Sequence, residues 1–303
     1  MIKVILSMLI FLSFLTKANA DVSNNNLLAE PGDDWLHTNG NHAAHRYSPL
    51  NQINDSNAGN LSIDWIYSTG GQTNAQGPVI EHDNMLFFAQ DNQLHAIDAV
   101  TGMNVWRYDH EIPEDFGGQF NPFFTGKHRG VAIAGSTVYM LSSECSIIAL
   151  NYKTGDEVYS YKIDRPYPRD FESTADGNGY FCTSNPLAIP GKLIVPMNAT
   201  DTGGLQGYVH AHNLETGERI WAAPMIPQPG EPGADTWPGD SRIYGGAGSW
   251  QAGTYDHELK TYFTGTANAY PWNPYTERQG AGSEGNNANV GAAITMYASS
   301  GII

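Results

Sequence analysis

Two cysteines, Cys145 and Cys182, and one His-x-His pair, His210 and His212, are the side chains whose types announce chemistry most directly. The cysteines lack the Cys-x-x-Cys-His spacing that attaches haem, and no zinc spacing occurs. They fit either a disulfide, which an oxidising compartment permits, or two buried thiols, since cysteine packs as a small hydrophobe. The two histidines project from one face of a strand, because successive strand residues alternate sides, and they read as interior strand residues rather than metal ligands. Trp250 closes a glycine-rich run, Gly245-Gly246-Ala247-Gly248-Ser249, and on its type alone reads as a core aromatic. Arg129 carries a planar fork of donors suited to a carboxylate. Asp201 is a loop carboxylate, and Asn268 lies beside a proline-containing loop where turn asparagines are common.

What must position these groups is a repeat. The pattern Ala-x-Asp-x-x-Thr-Gly-x-x-x-Trp is intact as Ala96, Asp98, Thr101, Gly102 and Trp106. Its spacing recurs as Ala149, Asn151, Thr154, Gly155 and Tyr159, and again as Ala211, Asn213, Thr216, Gly217 and Trp221. A weaker fourth copy runs through Thr295, Tyr297, Ser300 and Gly301. Physically this is a strand entering a turn: Asp or Asn caps the turn with its side chain, Thr-Gly closes it, and the aromatic returns on the next strand as a wedge. The four glycines lie 53, 62 and 84 residues apart, the size of a four-stranded propeller blade with loops of varying length. Short β-rich runs such as Met85–Phe88, Val138–Leu141 and Leu193–Val195, bounded by turn residues, agree with an all-β chain.

These turns resemble the tryptophan-docking motifs of the pyrroloquinoline quinone (PQQ)-dependent methanol and ethanol dehydrogenase family. The opening segment is similar to that family's as well: Trp35, Arg46-Tyr47-Ser48-Pro49-Leu50, Ile53, Asn60-Leu61 and Trp65. The resemblance implies an all-β fold, a β-propeller of four-stranded antiparallel blades, of which residues 21–303 supply about half of an eight-bladed ring. It implies that Trp250, preceded by Trp237-Pro238-Gly239-Asp240, stacks on PQQ, and that Arg129 in His128-Arg129-Gly130 pairs with a cofactor carboxylate. Thr183 aligns with a cofactor-contacting threonine. Asn268, in Thr266-Ala267-Asn268-Ala269-Tyr270-Pro271-Trp272-Asn273, aligns with an asparagine that ligates calcium, the expected metal, with a lanthanide as the alternative. For the second metal ligand, counting back from Gly207 without a gap selects Thr202, and a one-residue insertion selects Asp201, the better donor to a hard cation.

The chain also departs from that pattern. Phe123-Phe124 stands where the family has an adjacent cysteine pair, and Ala75 where it has a glutamate. The family's catalytic aspartate would fall beyond Ile303, so no residue of this sequence is a candidate base for the alcohol proton.

Residues 1–20 have the form of a secretory signal: Lys3, an apolar run from Val4 to Leu15, and the small residues Ala18 and Ala20 before Asp21. The run is too short to span a bilayer comfortably, and no later stretch approaches the length a membrane helix needs. Its removal takes Lys3 and Lys17 and no acid, leaving 13 basic and 31 acidic side chains, a net of −18. Such a surface repels nucleic acid and anionic membranes. The expectation is part of a periplasmic enzyme that oxidises a small alcohol with PQQ and passes electrons to an acceptor such as a cytochrome c. By itself this chain is expected to turn over little or no substrate. The rival expectation is a non-catalytic propeller used for binding or assembly.

Overall fold

The computed structural model describes residues 21–70, 76–113, 126–164, 182–197, 205–232, 234, 245–251, 253–267 and 294–298; of these, 205, 206, 245 and 294–298 are described by backbone alone. Three antiparallel four-stranded sheets follow one another along the chain. The first blade is β1 (Ile80–His82), β2 (Met85–Gln90), β3 (Gln93–Asp98) and β4 (Asn104–Asp109). The second is β5 (Ala132–Ala134), β6 (Thr137–Leu141), β7 (Ser146–Asn151) and β8 (Glu157–Lys162). The third begins with β9 (Leu187–Ile189) and β10 (Lys192–Met197), passes the short β11 (Leu205–Gln206), and ends with β12 (Tyr208–Asn213) and β13 (Arg219–Pro224). After β14 (Gly245–Gly246), which pairs in parallel with β11, a fourth sheet contains β15 (Thr254–Asp256), β16 (Thr261–Gly265) and β17 (Ile294–Ala298). The all-β propeller reading of the repeat is therefore the observed architecture.

Turn chemistry sets the hairpins. Asp83-Asn84 joins β1 to β2 and Asp91-Asn92 joins β2 to β3, all four with φ between 53° and 60°. Paired positive φ is the two-residue turn whose twist matches that of antiparallel strands, and Asp and Asn tolerate it best.

The repeated motif builds one turn three times. Asp98 Oδ1 accepts from the Val100 and Thr101 amides at 3.1 and 2.7 Å, and Asn151 and Asn213 do the same for their own turns. Ala96, Ala149 and Ala211 lie directly opposite Trp106, Tyr159 and Trp221, and a register shift follows each alanine. The small methyl beside each ring leaves room for the next blade's turn. Trp106 is 8% exposed, and its Nε1 donates to Tyr152 O at 2.9 Å across the junction. A Cβ added at Gly155 (φ 76°) would sit 2.7 Å from the Trp106 ring, so only glycine satisfies both the backbone and the docked indole. Gly217 receives Tyr159 in the same way, and Tyr159 Oη donates to Leu214 O at 3.1 Å.

The leading segment ties the blades together. Val22 pairs with Gly135, Trp35 with Glu81, His42 Nε2 with Ala188 O and His42 O with the Tyr255 amide. It thus touches each blade at its first strand or first hairpin. Cys145, in the β6–β7 turn, is bonded to Cys182 with Cα atoms 4.9 Å apart, which settles the cysteine pair as a disulfide. His210 and His212 are fully buried on β12 with rings stacked 5.6 Å apart, and their pKa values are lowered by desolvation and, for His210, also by the charge of His212. No helix among the described residues is long and apolar enough to cross a membrane.

Candidate functional site

The segments that run into the first strands converge at one end of the blades. Gln76 and Pro78 precede β1, Arg129 precedes β5, Asn185 precedes β9, and Trp250 and Gln251 precede β15. Together with Thr38, Asn39 and Arg46 of the leading segment they line a cavity of about 510 Å³, a volume within the usual range for small-molecule sites. No carboxylate lines it among the described residues.

Close backbone approach makes this convergence possible. A Cβ on Gly77 would come within 2.8 Å of Gly130 N, bringing the leads into the first and second blades together. Gly130 has φ 137° and would press a Cβ to 3.0 Å from Thr38 Oγ1 and 3.1 Å from Asn185 Cβ. Asn185 Nδ2 in turn donates to Thr38 Oγ1 at 3.1 Å, a contact 147 residues apart in sequence.

Arg129 is the electrostatic centre of the site. Its guanidinium carbon lies 4.8 Å from the centre of the Trp250 ring, within cation–π range. Its Nη1 donates to Thr183 O at 3.2 Å and to Thr183 Oγ1. Thr183 is fully buried and follows the bonded Cys182, so the arginine is anchored to a fixed loop. Burial lowers the Arg129 pKa, yet a guanidinium keeps its charge at neutral pH, and partial desolvation strengthens its pull on an anion. Trp250 is 37% exposed at the cavity wall. Its position is set from behind: Ser184 Oγ donates to Ser249 O at 2.8 Å, Ser249 Oγ bonds Thr264 Oγ1 at 2.6 Å, and Ala267 N donates to Gly248 O at 2.6 Å. His128, beside Arg129, is buried and neutral, its pKa pushed down to about 4 by desolvation. Its Nε2 accepts from the Asn92 amide at 2.9 Å, clamping the arginine's segment to the first blade.

Among the residues expected to act, Arg129, Thr183 and Trp250 are brought together. Asp201, Thr202, Asn268, Ala75, Phe123 and Phe124 lie outside the described residues. Among the described residues no three His, Cys, Asp or Glu side chains converge as a metal site. Sequence reasoning missed Thr38, Gln76 and Asn185, and took Arg46 only as part of an opening motif. Asn185 matters most, because its Oδ1 is buried without a hydrogen-bond partner at the cavity wall. Arg46, at φ 54°, is held by its Nε–Asn39 Oδ1 bond of 3.1 Å. Such a strained backbone at a cavity is a structural pointer that no residue type announces.

PQQ is a flat polyanionic quinone. Two guanidinium groups, amide groups and an indole face, with no carboxylate lining the cavity among the described residues, suit a planar anion, so the residues present fit it.

Comparison with known proteins gives the same direction. Residues 35–288 match the family described as PQQ: glucose/ethanol/alcohol dehydrogenase, beta-propeller domain. The quinoprotein alcohol dehydrogenase PedH of Pseudomonas putida is 33% identical over 282 residues, covering 85% of this chain and 44% of that protein. The lanthanide-dependent methanol dehydrogenase of Methylacidiphilum fumariolicum is 29% identical, covering 88% of this chain and 44% of that one. Among solved structures, the quinohemoprotein alcohol dehydrogenase of Comamonas testosteroni superimposes with a TM-score of 0.73 at 28% identity, over 89% of this chain and 40% of that chain. The chain spans less than half the length of these relatives.

Proposed function

The chain belongs to the glucose/ethanol/alcohol dehydrogenase β-propeller family, and from that premise we propose that it forms the cofactor-holding part of a PQQ-dependent alcohol dehydrogenase. The observation that carries the proposal is the Arg129–Trp250 pair, 4.8 Å apart over a cavity that also holds the unpartnered Asn185 Oδ1. In this reading Trp250 offers its ring face to the flat cofactor. Arg129 holds a cofactor carboxylate, Thr183 steadies the guanidinium and contributes its own contact, and Asn185 and Arg46 complete the polar rim. PQQ, when bound, supplies the redox chemistry, accepting a hydride equivalent from the alcohol carbon. Asp201 and Asn268 are the proposed oxygen ligands of a hard cation, calcium or a lanthanide, since carboxylate and amide oxygens suit either.

Among the described residues no lining carboxylate offers itself to the alcohol proton, and turnover by residues 21–303 alone is proposed to be negligible. Cleavage after Ala20 and a periplasmic location, with a small alcohol as substrate and a cytochrome c type acceptor, belong to the same proposal.

The test is a fluorescence titration of residues 21–303 with PQQ, with and without calcium. Binding should quench tryptophan emission. Arg129→Ala should weaken binding by about 10- to 100-fold, the worth of a charge-assisted hydrogen bond of about 1.5–3 kcal/mol. Equal affinity of the parent chain and Arg129→Ala would overturn the assignment. Absence of any PQQ binding would favour the non-catalytic binding or assembly propeller.

A further inference from the structure

One turn of the leading segment is shared by two cavities. Thr38 and Asn39 line the cavity of Arg129 and Trp250, whereas His37, Gly40 and His42 line a second one of about 170 Å³. The remaining walls of the second cavity are apolar, from Leu27, Pro31 and Leu36, and acidic, from Glu30, Asp33 and Asp34. Among the described residues no lysine or arginine lines it. Glu30 and Asp33 are exposed. Glu30 is steadied by Asn41 Nδ2 at 2.7 Å and His45 Nδ1 at 3.0 Å, and Asp34 Oδ1 lies 3.4 Å from His82 Nδ1.

The backbone fixes the tautomer of each histidine. The Asn39 amide donates to His37 Nδ1 at 3.1 Å, so His37 Nε2 carries the ring proton. His42 Nε2 donates to Ala188 O at 2.9 Å, so His42 Nδ1 carries a lone pair. Both remaining nitrogens are buried without a hydrogen-bond partner among the described residues. His37 is 7% and His42 2% exposed, their ring centres lie 5.7 Å apart, and desolvation keeps both neutral near pH 7. The pair thus offers one unmatched donor and one unmatched acceptor. Burying such groups without partners costs free energy that a matching ligand restores. A hydroxyl is the group that accepts and donates at once.

We propose that this second cavity binds a small protonated amino alcohol, with its ammonium group at the Glu30, Asp33 and Asp34 carboxylates and its hydroxyl accepting from His37 Nε2 and donating to His42 Nδ1. The acidic mouth selects a cation and the apolar walls take a short carbon chain. A metal ion is the poorer occupant: His37 Nε2 has a proton where a ligand needs a lone pair, and no three His, Cys, Asp or Glu side chains converge among the described residues. Ion pairs at exposed carboxylates contribute little. The buried hydroxyl contacts therefore set the affinity, and the carboxylates set the preference for charge. The proposal stands apart from the cofactor reading, because neither Arg129 nor Trp250 lines this cavity.

The experiment is calorimetric titration of the purified protein near neutral pH with 2-aminoethanol, with ethylamine, which lacks the hydroxyl, and with ethylene glycol, which lacks the charge. 2-Aminoethanol should bind saturably and about 5- to 10-fold more tightly than either, the scale of one net hydrogen bond. Glu30→Gln with Asp33→Asn should weaken it about 5-fold with the far-ultraviolet spectrum unchanged, because both residues are exposed. His37→Phe should bring 2-aminoethanol and ethylamine to equal affinity. The exposed pair of substitutions decides the matter should the buried one fail to fold. Absence of saturable binding would leave the cavity to water and overturn the proposal. Equal affinity for the three probes, or binding indifferent to the two acid substitutions, would overturn it too. Loss of PQQ binding alone would leave it standing.

Discussion

Gly155 and Gly191 allow the docking contact to be weighed separately from backbone strain. Both have nearly the same positive φ, 76° and 73°. A Cβ at Gly155 would stand 2.7–3.0 Å from three Trp106 ring atoms, whereas one at Gly191 meets nothing within 4 Å. Alanine at either site pays the left-handed penalty of about 1–2 kcal/mol. At Gly155 it must also push a buried indole away from the Tyr152 carbonyl, an overpacking cost of about 1–3 kcal/mol. Gly155→Ala should therefore lose about 2–5 kcal/mol and Gly191→Ala about 1–2 kcal/mol, read by equilibrium urea denaturation of residues 21–303. A cycle with Trp106→Ala sharpens the test: in that background the two glycine substitutions should cost the same. Equal losses in the parent chain, or an excess at Gly155 that survives removal of Trp106, would refute the junction as described.

Acid should destabilise the fold well above the carboxylate range. Desolvation holds His37 and His128 down to about 4, and desolvation with the nearby His37 and His257 charges holds His42 to about 3. An unfolded histidine binds a proton near 6.5, so between about pH 6.5 and 4 the unfolded chain binds more protons and stability falls as pH drops. The loss is on the order of 2 kcal/mol per histidine by pH 5; melting temperatures unchanged from pH 7.5 to 5 would contradict this. Cys145→Ser with Cys182→Ser opens a loop of sequence separation 37 and should cost about 4 kcal/mol by chain entropy, measured against the oxidised parent under the same denaturant. An identical midpoint would count against the bond.

The blades were legible because a fixed spacing of Ala, Asp or Asn, Gly and an aromatic records one local structure repeated. Trp65 escaped that reading, since no Ala-x-Asp-x-x-Thr-Gly lead precedes it and its docking shows only against Gly102. In the site, Arg129 and Trp250 could be found because guanidinium and indole next to Gly-rich segments are distinctive. Asn185, Thr38 and Gln76 could not, being ordinary loop residues that become neighbours only when distant segments cross, as Asn185 and Thr38 do. The cysteine pairing was open for the same reason: a separation of 37 residues permits a bond, and only the placement of the β6–β7 turn beside Cys182 makes it.

That bond also lies next to the site. Cys182 immediately precedes Thr183, whose carbonyl and hydroxyl receive Arg129, and its amide donates to Ser143 O at 3.2 Å. With the sulfurs reduced, the Cys182 N–Ser143 O hydrogen bond, of about 1 kcal/mol, would still tether the arginine's anchor to the β6–β7 turn. A newly made chain in a thiol-rich compartment would thus hold its guanidinium loosely, and oxidation would tighten the grip. Thiol oxidation would thereby favour the geometry in which Arg129 is held against Thr183.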